Sequence, residues 1–215
     1  MLRRPILLML LVLAACSRPL APGEKALAED MFGPTIDTSR IRVTEGLGLS
    51  PLSPAKPLPP ASGKIELRPG LCDRTAPNTG PPEPPPAFAV YNRIHMMPEF
   101  YHAEVMPDWP HRLRLPEAVV FAHELVHVWQ WQNRARTGYR PARAALESVF
   151  NQDPYFYIPD DGSDLLAYGF EQQAALFEDY MCYLIFDPEA PRRAEIRKIL
   201  APYFTLDRLE KAMGR

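Results

Sequence analysis

The chain has little charge imbalance: 24 Lys and Arg stand against 26 Asp and Glu, and no basic block or stripe occurs. That argues against nucleic acid as a partner, because such binding needs a concentrated cationic surface. Cysteine is scarce, at three residues, and no CxxC or Cys-His cluster appears. A cysteine-based zinc ribbon or dithiol redox centre is therefore excluded. Histidine is also scarce, at five residues. No internal repeat is present. The longest apolar run, ILLMLLVLAA, is about half of the roughly 20 residues needed to span a bilayer. Proline is the excess, at 26 residues, about double ordinary usage.

The short apolar run follows MLRRP, a cationic start, and so reads as a secretory signal over 1–15. Its end, Leu13-Ala14-Ala15-Cys16, resembles the bacterial lipobox. That resemblance implies cleavage before Cys16 and lipid on it. Ser17, in place of Asp, implies an outer-membrane lipoprotein facing the periplasm. With Cys16 lipidated, Cys72 and Cys182 remain, and an oxidising compartment lets them pair as a disulfide.

The expected organisation is a tether over 16–23 and one domain over 24–215, with proline-rich loops at about 50–62 and 76–86. GEKALAEDMF has helical spacing and Gly33-Pro34 stops it. RIRVT, KIELRPG and AFAVYNRIHM read as strands. A helix is expected from Pro116 to near Gly138, and ARAALESVF is a shorter one. A second long helix is expected from Asp164 to Phe186, and RRAEIRKILAPYF and DRLEKAMG close the chain as amphipathic helices. Sparse strands followed by helices predict an α+β fold.

The stretch FAHELVHVWQW carries the chemistry. His123, Glu124 and His127 form H-E-x-x-H. Residues four apart on a helix share a face, so both imidazoles can reach one Zn²⁺. Glu124 is turned about 100° away. It is placed to act on water as a general base rather than to ligate. The helix is apolar on most of its surface, and burying two imidazoles and a carboxylate without partners is costly. A bound metal resolves that cost.

A third ligand is needed. His95, His102 and His111 all precede the helix, and the extended motif with a third His after it is absent. Gln130 and Asn133 stand where that motif has Gly and His. The second long helix supplies Glu171, then Glu178, then Asp179 as candidates in that order. Asp179 and Glu178 are also candidates to support a ligand His from behind. Ala167, Ala174 and Ala175 share the Glu171 face, which lets the two helices approach closely. Tyr139, Tyr157, Tyr168 and His102 are candidate oxyanion stabilisers. Trp129 and Trp131 read as packing residues.

HELVHVWQ followed by EQQA resembles the zincin-like metallopeptidases of the gluzincin type. More narrowly, it is similar to small bacterial HELxHVxQ domains, some of which accompany contractile injection systems or Vgr-type proteins. The resemblance extends thinly to GEKALAEDMFGPTIDTSRIRV and RIHMMPEFYHAE. It implies a zincin-like fold and a zinc held by His123, His127 and Glu171, with Glu124 as base. Better-known gluzincins carry an Asp one turn after the third ligand, and here that position is Ala175. The functional expectation is a zinc-dependent hydrolase acting on a peptide, protein or peptidoglycan-type substrate. The alternative is a non-catalytic, metal-stabilised binding or scaffold lipoprotein of the envelope. Glu124 favours the enzyme, since a purely structural metal site has no use for a base there.

Overall fold

A computed structural model describes residues 16–54, 72, 74, 77–80, 84–159 and 164–215. The architecture is α+β, with a four-stranded sheet and seven α-helices among the described residues. Strands β1 (Arg18–Pro19), β2 (Arg42–Glu45), β3 (Ala87–Val90) and β4 (Arg93–Met96) lie in the order β1-β2-β4-β3. The β2/β4 pair is parallel and the other two are antiparallel. The helices are α1 (Pro22–Phe32), α2 (Glu117–Gln132), α3 (Arg134–Thr137), α4 (Pro141–Phe150), α5 (Phe170–Phe186), α6 (Pro191–Leu200) and α7 (Leu206–Ala212). No described helix is long and apolar enough to cross a membrane.

Local chemistry accounts for the boundaries. Pro22 stands at the first position of α1, where its missing N–H is not needed. Gly33, at φ 54°, ends that helix against the Thr205 side chain. The stretch AFAVYNRIHM, expected as one strand, is a hairpin: Tyr91 adopts φ 58° and folds β4 back on β3. The helix expected to run to Gly138 pauses at Asn133, whose side-chain amide donates to Thr35 O and Trp129 O. Only α3 follows before Gly138, at φ 69°. The helix expected from Asp164 starts at Phe170, because Tyr168 and Gly169 are extended. Ala167 lies in the 3-10 turn before α5 and not on its face. The strand expected at KIELRPG and the signal over 1–15 lie outside the described residues.

The core meets on one aromatic ring. Phe32 of α1 lies 6.2 Å from Trp129, 6.1 Å from Phe177 and 5.4 Å from Phe204, ring centre to ring centre. These side chains come from α1, α2, α5 and the turn before α7, so one cluster binds four segments. Helix α2 sits between the sheet on one side and α5 on the other. Ala174 and Ala175, both fully buried, let α5 come close.

The segment expected as a tether is part of the fold. Arg18 donates from both Nη atoms to Glu24 at 2.7 and 2.8 Å, and also to His102 O. Glu24, fully buried, accepts in addition from the backbone N–H of Ala21 and Val105. A guanidinium desolvated this far needs its carboxylate, and that need ties the stretch to the domain. Replacing Glu24 by Gln strands the buried Arg18 charge. It should cost about 3–5 kcal/mol, read as a lowered urea midpoint with unchanged slope.

Candidate metal centre

The two imidazoles of α2 and the Glu171 carboxylate of α5 converge. His123 Nε2 lies 3.2 Å from His127 Nε2 and 3.2 Å from Glu171 Oε2, and His127 Nε2 lies 3.1 Å from Glu171 Oε2. Donors about 2.0–2.1 Å from a tetrahedral ion stand roughly 3.3 Å apart. The triangle therefore has the dimensions of a filled coordination face. These three form a group able to hold a metal ion.

The outer hydrogen bonds set the direction of each lone pair. His127 Nδ1 donates to Gln130 Oε1 at 2.8 Å. Gln130 cannot be flipped, because its Nε2 donates to Phe170 O and to Gln173 Oε1. Gln173 is fixed in turn by donating to Tyr168 O. His123 Nδ1 faces Glu178 Oε2 at 3.2 Å. Both Nδ1 atoms thus carry protons, and both Nε2 atoms, turned toward Glu171 Oε2, are the ones left to serve as ligands. Such support from behind fixes ligand tautomers at metal sites. Helix α4 steadies the carboxylate: Ser148 Oγ lies 3.4 Å from Glu171 Oε1, and Glu147 accepts from the first N–H of α5.

The charges of the metal-free chain follow from this crowding. Burial lowers the His123 pKa, but the hydrogen bonds to Glu171 and Glu178 outweigh it and raise it to about 10. Burial alone would raise Glu171 and Glu178. Their imidazole partners, with Arg74 for Glu178, instead hold both below the usual carboxylate range. Glu124 behaves oppositely. Burial pushes its carboxyl up to about 7, only partly opposed by His127 and His123. Its Oε2 is buried and has no hydrogen-bond partner among the described residues. A carboxylate left unanswered in this way is costly, and a site for water or substrate explains it.

All five groups line one cleft of about 790 Å³, with Tyr139, Tyr155, Ser148 and strand β3 along its walls. Tyr155 lies 5.7 Å from His123 and Tyr139 6.1 Å from His127, ring centre to ring centre. Not every candidate of the sequence reading reaches the site. Asp179 turns to Tyr157, whose hydroxyl donates to it at 2.6 Å. The Tyr168 hydroxyl lies 3.4 Å from Ile158 O. His95 packs on Phe88 and bonds Gly46 O. His102 is buried beside Arg18, and His111 is exposed in a loop. Cys72 and Cys182 are joined as a disulfide. Trp129 is core, while Trp131 packs with Tyr139 and Phe170. Gln130, Gln173, Ser148 and Tyr155 were missed as site residues. Gln130 carried one signal, an uncharged polar side chain one turn past His127 on a largely apolar helix.

No protein-family model and no curated protein matches the chain. Among solved structures it is similar to the effector domain of Pseudomonas aeruginosa VgrG2b, at 24% identity over 86% of this chain and 83% of that one, with a TM-score of 0.51. That likeness is one of fold. It accords with the link to Vgr-type proteins that the two motifs imply.

A cation must displace the His123 proton, since ligands bind deprotonated. Affinity should therefore fall as pH falls, by about tenfold per unit while one proton is displaced. Calorimetry in buffers of different ionisation enthalpy should show that proton released. Glu171→Gln should abolish stoichiometric binding.

Proposed function

We propose that the chain is a zinc-dependent hydrolase of zincin type that cleaves peptide or amide bonds. We further propose that it is held at the outer membrane by lipid on Cys16, facing the periplasm. The observation that carries the reading is the 3.1–3.2 Å triangle of two imidazole nitrogens and one carboxylate oxygen, beside an unanswered, buried Glu124 Oε2. Two nitrogens and one oxygen suit Zn²⁺ and match a catalytic rather than a closed structural set.

When bound by His123, His127 and Glu171, the cation supplies Lewis acidity, which polarises a carbonyl and acidifies water. Glu124 takes the proton of the attacking water and returns it to the leaving amine. Burial raises the proton affinity of Glu124 in the metal-free chain, the direction that favours taking a proton from water. Tyr155 and Tyr139 hold their phenolic protons, since burial raises both above their ordinary value. They are placed to donate to charge building on oxygen in the cleft.

Strand β3 supports a polymeric substrate. It pairs only with β4 among the described strands, lies at the sheet edge and lines the cleft. An extended peptide can add to such an edge through backbone hydrogen bonds.

Glu124→Gln should keep full zinc content and lose about 10²–10⁴-fold in hydrolysis, measured on a peptide library and on peptidoglycan fragments with and without chelator. Tyr155→Phe should lower kcat by about 10²-fold with KM little changed. Cleavage that persists in the chelator, or in Glu124→Gln, removes the zinc-hydrolase reading. Bound zinc with no cleavage of any polymer favours the scaffold alternative.

A further inference from the structure

One arginine lies behind the imidazole of His123, and a covalent strap carries it there. Cys182 and Glu178 stand four apart on α5 and so lie one above the other on a single face. The disulfide joins Cys72 to Cys182 across 110 residues, with their Cα atoms 5.3 Å apart. Two residues past Cys72, Arg74 reaches one turn back along α5. Its Nη2 lies 2.8 Å from Glu178 Oε2, the same oxygen that faces His123 Nδ1 at 3.2 Å. Its Nε lies 3.4 Å from Asp179 Oδ2, which also accepts from Tyr157.

Arg74 and Glu178 are each about a quarter exposed. A pair that open contributes little to stability as an ion pair. Its effect is on where the Glu178 carboxylate points. Glu178 stands two turns from Glu171 on α5 and lines the same cleft. Without Arg74 that carboxylate is drawn either to water or into the cleft, and in both cases His123 Nδ1 loses its acceptor. Partners behind a ligand His orient the ring and raise its basicity.

Resting on the metal reading above, we propose that Arg74 is a positioning residue. Delivered by the Cys72–Cys182 bridge, it holds Glu178 on His123 Nδ1 and thereby sets how tightly the site retains zinc. Guanidinium, carboxylate and imidazole follow one another in contact, the bridge lies two residues from the guanidinium, and only the imidazole is a candidate ligand.

The test measures Zn²⁺ affinity of the full, oxidised chain against a competing chromophoric chelator, with the fold of each metal-free variant followed by circular dichroism. Arg74→Ala and Cys72→Ala/Cys182→Ala should each weaken zinc by about 10–100-fold. Their combination should be no weaker than the double-cysteine variant alone, since both act through one contact. Arg74→Lys should recover part of the loss, because an ammonium can reach the single Glu178 oxygen. Should the cysteine variant fail to fold, Arg74→Ala and Arg74→Lys decide the matter by themselves. Lowered melting temperatures with unchanged zinc affinity would mean that the strap is structural only, and would overturn the proposal. Wild-type chain that binds no zinc overturns the metal reading and this inference together. Wild-type binding with all variants equal overturns this inference alone.

Discussion

Three candidate ligand atoms on two helices, all within 3.2 Å of one another, form the constraint on which the rest depends. Such an arrangement is unfavourable unless a positive charge sits among the three. In the metal-free chain a proton on His123 does part of that work, which is why its pKa rises to about 10. The helices must also be close. Ala174 and Ala175 permit it, and the Gln130–Gln173 hydrogen bond locks one helix to the other in register.

The two imidazoles of the candidate centre are not equivalent. His127 leans on a neutral amide and His123 on a carboxylate. An ionised acceptor makes the stronger hydrogen bond, so His123 is the more basic donor. It is also the one whose support comes from beyond α2 and α5, through Arg74. The acid is held by a third helix, α4, through Ser148 and through Glu147 at the first N–H of α5. The ligand set therefore reports on the packing of four separate segments. A substitution far along the chain can reach the site through any of them.

The N-terminal stretch has a similar logic. Arg18 and Glu24 neutralise each other in the interior, and Thr44 Oγ1 donates to Cys16 O. Lipid at Cys16 would then attach to the edge of the sheet rather than to a loose leash. In the proposed setting, the domain and its cleft would be held close to the membrane surface.

The sequence by itself determined the chemistry of the site. The i, i+4 spacing of His123 and His127, with Glu124 turned aside, is a property of any α-helix. The apolar surroundings showed that these groups would be buried and in need of a partner. Element types were legible for the same reason, since periodicity records which face is covered. Element ends were not: the break at Asn133, the hairpin at Tyr91 and the late start of α5 go with contacts to Thr35, Trp131 and Glu147 that lie outside any local window. The sequence ranked Glu171 first among three acids of one helix, but only tertiary structure brought it to the imidazole pair and put Glu178 behind His123, because these acids differ only in what stands opposite them. Tertiary structure alone brought Gln130, Gln173, Ser148 and Arg74 to the ligands. Their roles come from distances across the fold, and no spacing along the chain encodes those.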